Sequence, residues 1–341
     1  MKTRERIGAP DMTRRELLVL GMGAFAVATL PGAVRRGSHL VRRQAPVMGT
    51  IAELAVVHAD PLRAHAGIDA ALAALERVER LMTRFEATSD VGRANSAAGQ
   101  GPVAVSPATA AVLSEALAWA EASGGAFDPT LGRAIRLWDV GHRRTPPPEE
   151  VVHRLAGRRL YRSLALDRWR GAPVIRFTDR DAEIDLGGIA KGYGVDRAVE
   201  ALRAHGIIRA IVNVGGDLYA IGEAERGGPW RVGIRSPHEP ARLAGVLEIN
   251  DGAVATSGDY LQYFQHGGRR YHHLLDPSTG APRVSGVHSV TVIAQTCLAA
   301  DAAATAVFGM EPDAAGQLLR VRAPGARIAS RIADGASTGR G

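Results

Sequence analysis

The chain has 341 residues, with 42 Lys and Arg against 35 Asp and Glu, a formal charge of +7, and 46% hydrophobic residues. That length suffices for one large domain or two intimate ones with an ample core. The modest charge, with arginine scattered and no basic run interleaved with aromatics, argues against nucleic-acid binding, and the single cysteine, Cys297, excludes an internal disulfide.

At the amino terminus, Thr13-Arg14-Arg15-Glu16-Leu17-Leu18 sets twin arginines before an apolar, alanine-rich run from Leu17 to Leu30. This is the order of a twin-arginine export signal, and the run is too short and too rich in small residues for a comfortable membrane span. Cleavage is expected after Ala33; left uncleaved, the segment would anchor the protein to the membrane. Residues 1–33 hold five basic and three acidic residues, so the remainder carries about +5. Residues 34–45 are then expected as a linker, 46–332 as the folded domain, and 333–341, rich in Gly, Ser and Thr, as a disordered tail.

Within the domain, apolar alternation predicts strands at Gly49–Val57, Ser163–Leu166, Val174–Phe177, Ile207–Val214, Arg231–Ile234, Leu243–Ile249, Tyr260–Gln265 and Val287–Ile293. Helices are predicted at Pro61–Thr83 behind an Asp60 cap, Pro107–Ala122 behind a Ser106 cap, Ile189–His205, Thr296–Phe308 and Pro312–Val321. Consecutive strands with short turns after Ile207 favour antiparallel pairing, hence an α+β fold of mixed, largely antiparallel sheets flanked by helices. Pro146-Pro147-Pro148 marks a loop between lobes of one large bilobal domain.

Several segments carry chemistry. Ile184–Arg197, IDLGGIAKGYGVDR, reads as a short strand from Ala182 to Leu186, a Gly187-Gly188 break, and a helix. Paired glycines ahead of a helix start let backbone amides approach a phosphate, and Lys191 sits where it would reinforce that positive end. Neither the P-loop nor the spaced-glycine dinucleotide pattern is present. Ala126–Gly132 (AFDPTLG), Ala255–Phe264 (ATSGDYLQYF) and Tyr271–Pro282 (YHHLLDPSTGAP) are rich in Asp, His, Gly and Thr, a composition equally suited to turns. In the last of them His273 and Asp276 form a suggestive pair, because an imidazole beside a carboxylate takes a proton near neutral pH. In Gln295–Met310, Asp301 and Thr305 lie four residues apart in an alanine-rich helical stretch, so a carboxylate and a hydroxyl share one face. Two hard oxygens suit magnesium and not zinc.

Taken in order, these pieces resemble one family, the FAD:protein FMN transferases or ApbE-type flavin transferases. The resemblance starts at Met48-Gly49-Thr50 and continues through Leu81–Asn95, where Phe85, Ser89, Arg93 and Asn95 fit. It then takes in AFDPTLG, IDLGGIAKGYGVD, NVGGD at Asn213–Asp217, TSGDYLQYF, HHLLDPSTG and the ADAAAT helix. It spans roughly Pro46 to Met310 and implies an ApbE-like, T-fold-like architecture. The resemblance also implies a magnesium site made by Asp301, the Thr305 hydroxyl and the Ala190 backbone carbonyl. Flavin and adenine contacts are implied at Met48, Phe85, Ala126, Phe127, Asp128, Gly187, Lys191, Tyr193 and the HHLLDP strand, where His273 matches the position tied to transfer. Two departures stand out: Phe85 replaces a frequent tyrosine, which keeps stacking and loses a phenol hydrogen bond, and the family's frequent lipid-attachment cysteine is absent.

The implied reaction is magnesium-dependent transfer of FMN from FAD to a threonine or serine hydroxyl of a partner flavoprotein, with release of AMP. His273 is the candidate proton acceptor and Asp301 the candidate anchor of the cation. An extracytoplasmic electron-transport subunit is the implied acceptor, and the periplasm the implied location. Two alternatives remain at this level: a magnesium-dependent FAD pyrophosphatase yielding FMN and AMP, and a non-catalytic flavin-binding carrier of the cell envelope.

Overall fold

A computed structural model describes residues 37–334 other than 225, 226 and 240, together with the backbone of two short strands, Arg4–Arg6 and Phe25–Ala28. Helix Pro61–Met82 begins where Asp60 accepts hydrogen bonds from the Leu62 and Arg63 amides, with a proline in the first turn. Its buried residues, Ala64, Ile68, Ala71, Leu75, Val78 and Met82, recur every three to four positions and make one apolar stripe. Ser106 and Thr296 cap helices Pro107–Ala122 and Cys297–Val307 in the same way.

The stripe packs on a seven-stranded sheet. Its spatial order is Arg327–Ala333, Val287–Ala294, Gly252–Gly258, Asp217–Ile221, Ala210–Val214, Thr50–His58 and His39–Val47, and every neighbouring pair is antiparallel. Both faces are buried, and the two-residue period sorts them. Leu54 and Val56 join the core under helices Pro61–Met82 and Ala190–Ala204. Ala55 and Val57 turn the other way, to Trp230, Val232, Leu247 and Ile249 of a second sheet. That sheet pairs Trp230–Arg235 with Leu243–Ile249 and takes Arg4–Arg6 and Phe25–Ala28 as its outer strands. The twin arginines and the expected cleavage point after Ala33 lie outside the described residues.

Four expectations need correction. Residues 39–45, expected in a linker, belong to an edge strand that pairs with Thr50–His58 along its whole length. A two-residue turn at Met48 and Gly49, both at positive φ (53° and 70°), makes that hairpin, and its mostly half-exposed side chains gave no apolar signal. Residues 333 and 334, expected in the tail, end the opposite edge strand and a clasp beyond it; residues 335–341 lie outside the description. No strand forms at Ala182–Leu186, where only Glu183 makes an isolated bridge, to Leu131. The strand expected from Tyr260 begins only at Tyr263.

The three-stranded sheet of Val103–Ala104, Ala172–Phe177 and Leu164–Trp169 adds Leu164, Ile175 and Phe177 to the main core. A separate small core packs helix Gly132–Trp138 against the hairpin of Tyr263–His266 and Arg269–His272, with Trp138 and Phe264 stacked on Tyr271 at 5.6 and 5.1 Å. Trp138 Nε1 donates to Gly280 O at 2.7 Å and so pins the DPSTG turn to this small core.

At the carboxy-terminal edge, the His288 ring bonds Asp259 through Nδ1 (2.8 Å) and Asp334 through Nε2 (2.9 Å). Burial opposes the imidazolium, but the two carboxylates outweigh it and raise the pKa above 6.5; the same contact lowers that of Asp334. The clasp therefore stabilises fully below pH 6.5 on the histidine side and weakens as pH rises through the elevated value; Asp334 withdraws its share only on acidification below 3.8. Replacing His288 by Gln is expected to lower the melting temperature at pH 6 and to converge on the wild type by pH 9, as followed by circular dichroism. A difference independent of pH would contradict the charged clasp.

Candidate functional site

The glycine-rich turn is held from three sides. Where a strand was expected, the Asn95 side chain takes a strand's part, accepting from Ile184 N (2.7 Å) and donating to Ile184 O (2.9 Å). Asp185 Oδ1 accepts from Gly187 N at 2.7 Å, so that amide is already engaged, and Arg84 Nε meets Asp185 Oδ2 at 2.7 Å. The neighbouring Phe85 is 80% exposed, with the Arg84 guanidinium 4.5 Å from its ring centre. A large aromatic left at the surface is available for stacking.

Gly188 and Gly192 let two other segments close in. A Cβ on Gly188 would lie 3.2 Å from Thr305 Oγ1 and 3.3 Å from the Phe127 ring; on Gly192 it would lie 2.3 Å from Cys297 O and 2.8 Å from Asp301 Cβ. Helices Ala190–Ala204 and Cys297–Val307 therefore meet at backbone contact, which any side chain would forbid. Asp196 fixes the crossing by accepting from the Cys297 and Leu298 amides at 2.7 and 3.0 Å; burial pushes its carboxyl up to about 6. Cys297 itself is a buried free thiol.

At the crossing Asp301 Oδ2 accepts from Gly192 N at 3.0 Å and lies 3.8 Å from Lys191 Nζ. Thr305, one turn on, faces Gly188, with Ser257 Oγ 3.5 Å from its hydroxyl. Ala190 opens the facing helix, directly before Lys191 and Gly192, both of which reach Asp301. The segments of Ala190, Asp301 and Thr305 are thus brought together. The Lys191 ammonium bonds the buried carboxylate of Asp217, which fixes its position beside Asp301.

Asp217 escaped the sequence reading, although NVGGD was noted as a motif. The usable signal was an Asp ending a double-glycine turn between two apolar runs, a strand start that ought to be buried. Its turn is set by Asn213, whose Oδ1 accepts from Gly216 N at 3.1 Å and whose amide donates to the buried Glu53 at 2.9 Å.

The cluster holds two carboxylates and one ammonium. Burial first, then the charge of Asp217, pushes the Asp301 carboxyl up to about 7 against the pull of Lys191. For Lys191, burial works against the charge, but Asp217 and Asp301 win and hold the amine above its ordinary value. With both carboxylates ionised, one negative charge exceeds the single ammonium, which adds to burial in disfavouring the Asp301 charge. Asp301 and Thr305 offer oxygen donors and neither nitrogen nor sulfur, a set whose chemistry would fit a hard cation such as magnesium and not zinc, while among the described residues no group of three His, Cys, Asp or Glu side chains is placed to hold a metal.

The remaining candidates surround this centre. Phe127 touches Gly188, while Asp128 Oδ1 accepts from Thr130 N (2.8 Å) and Oγ1 (2.5 Å), its carboxyl pushed up to about 6 by burial. The Met48 thioether lies against Gly194, its amide donating to Glu79 at 2.9 Å, and Tyr193 carries the Arg197 guanidinium 4.8 Å from its ring centre. His273 does not pair with Asp276, which instead accepts from Ser278 N and Oγ inside the turn. The His273 Nδ1 faces Gln262 O at 3.3 Å; a carbonyl only accepts, so Nδ1 carries the proton and Nε2 keeps a free lone pair. Burial lowers the His273 pKa to about 4, with Lys191 close enough to add to the effect.

Residues 48–328 match the profile of the ApbE family. The chain is 34% identical over 290 residues to the FAD:protein FMN transferase of Treponema pallidum, covering 80% of each chain. It is 35% identical over 251 residues to one from Klebsiella pneumoniae, covering 73% of this chain and 77% of the relative. The crystal structure of the ApbE protein from Thermotoga maritima superposes with a TM-score of 0.76 at 29% identity, covering 87% of this chain and 97% of that one. The flavin transferase ApbE from Vibrio cholerae gives 0.72 at 30%, covering 83% and 91%. With the mixed, largely antiparallel fold and nearly the whole domain matched, this chain belongs to the ApbE family.

Proposed function

We propose that the protein is an FAD:protein FMN transferase, which moves FMN from FAD to a threonine or serine hydroxyl of a partner protein in a magnesium-dependent reaction. The observation that carries the reading is the convergence of Asp301, Thr305, Lys191 and Asp217 on the Gly188–Gly192 turn in a chain of this family. Asp301, the Thr305 hydroxyl and the Ala190 carbonyl would hold the magnesium ion, which when bound supplies positive charge against a diphosphate. Lys191, steadied by Asp217, adds a fixed positive charge beside it. Phe85 offers a stacking face, and Met48, Tyr193 and the Ala126–Asp128 loop line the flavin and adenine contacts.

The acceptor hydroxyl attacks the FMN phosphorus; a phosphoester bond forms, the phosphoanhydride breaks, and AMP leaves with the bridging oxygen. His273 Nε2 takes the hydroxyl proton, since Nδ1 is committed to Gln262 O. The test is incubation with FAD and magnesium, with and without an acceptor protein. Flavin fluorescence fixed to the acceptor after denaturation, with AMP released, is the expected result. FMN and AMP formed equally without an acceptor would replace transfer by hydrolysis, and unconsumed FAD would leave only a carrier.

The acceptor is proposed to be an extracytoplasmic electron-transport subunit, reached after twin-arginine export to the periplasm. The motif at Arg14-Arg15 and the apolar run after it support this. Changing both arginines to lysine is expected to trap the protein in the cytoplasm on cell fractionation; an unchanged distribution would remove the export reading.

A further inference from the structure

Arg283 follows the DPSTGAP turn and lies half-buried at the junction of three segments that supply the site. Its guanidinium donates from Nε to Leu275 O (3.1 Å), from Nη1 to Thr305 O (3.3 Å) and Phe308 O, and from Nη2 to Ala126 O. Among the described residues no carboxylate forms a salt bridge with it; Asp276 acts on it only from a distance, and burial pushes its pKa down to about 10. The main chain of Arg283 is tied in as well: its amide donates to Leu274 O at 2.9 Å, and His272 Nε2 bonds its carbonyl at 2.9 Å.

We infer that Arg283 is a positioning residue that sets Thr305, the Ala126–Asp128 loop and the His272–Leu275 segment at one fixed spacing, so that the metal-holding and flavin-holding parts of the site assemble together. The inference rests on the reading of those parts given under Proposed function. Thr305 O and Phe308 O are end carbonyls of helix Cys297–Val307, which have no helical partner and carry the negative end of its dipole. A cation satisfies them better than a neutral donor. Ala126 O and Leu275 O lie in different directions, and only a planar fork with several donors serves all four at once; a lysine ammonium has three donors on one atom and cannot span them.

Two variants test this, Arg283→Lys and Arg283→Gln, both purified as the full chain and confirmed as folded by circular dichroism at a temperature well below melting. Half-saturation for FAD, followed by quenching of flavin fluorescence, and half-saturation for magnesium in turnover are each expected to rise by about tenfold or more in both variants. A purely stabilising arginine would lower the melting temperature and leave these two constants of the folded enzyme unchanged, and that result would overturn the inference. The second readout needs no ligand. In Arg283→Lys, amide hydrogen exchange is expected to accelerate in residues 126–128 and 305–308 together, with strands Thr50–His58 and Ala210–Val214 unaffected. Acceleration in only one segment, in neither, or throughout the protein would also overturn it. Should the wild type show no magnesium-dependent consumption of FAD, the functional reading fails, and the exchange measurement still decides the role of Arg283. If Arg283→Gln does not fold, Arg283→Lys alone decides by the same criteria.

Discussion

Replacing Asp301 by Asn is expected to abolish most turnover and leave the protein at least as stable as the wild type. The carboxylate is buried beside Asp217, and the fold already disfavours its charge, as its displacement to about 7 records. Asn keeps an oxygen that accepts from Gly192 N, in place of the 3.0 Å bond, and leaves Lys191 paired with Asp217. The internal cost of a second buried negative charge disappears, and with it the group proposed to grip the cation. A preorganised electrostatic contact of this kind is usually worth on the order of 10²–10³ in rate. The combination of an unchanged or higher melting temperature with turnover reduced by about that factor separates a functional charge from a structural one. A variant that melts markedly lower and retains activity would place Asp301 among the structural groups instead.

Replacing His273 by Ala is expected to cut transfer by roughly two to four orders of magnitude, the usual contribution of general acid–base assistance, while FAD affinity changes by no more than about threefold. The imidazole is held neutral by burial, and its Nδ1–H is spent on Gln262 O, so Nε2 is the one basic atom it presents. Neither contact belongs to the cluster around Asp301, so cation and flavin binding are expected to survive. Single-turnover measurements at saturating FAD and acceptor isolate the chemical step. Parallel losses in FAD binding and turnover would reassign His273 to flavin positioning.

Much of the protein was legible in the order of its residues, because the relevant physics is local. The helix beginning at Pro61 announced itself through the Asp60 cap and an apolar residue every three or four positions, and the helices behind Ser106 and Thr296 did the same. Asp301 and Thr305 share a face through helical spacing alone, whereas the paired glycines were read as an approach for a phosphate and only the structure shows Gly188 and Gly192 closing on Thr305 and Cys297. Pairing between distant segments left weaker traces. The edge strand His39–Val47 has an alternation blurred by half-exposed polar residues, and the Asn95 side chain substitutes for a strand at Ile184 from 89 positions away.

The sequence by itself determined the family, the five longest of the described helices, the antiparallel character of the second half and the oxygen-rich chemistry of helix Cys297–Val307, since caps, periodicity and motif order are properties of neighbours along the chain; the short helices Asp90–Ser96, Gly132–Trp138 and Glu149–His153 span too few turns to show a period. Only the tertiary structure decided that Lys191 is bound to Asp217, that His273 leans on Gln262 O and not on Asp276, and that Arg283 gathers carbonyls from three segments. Those partners are separated by up to 157 positions, and a hydrogen bond depends on distance in space, which residue order does not encode.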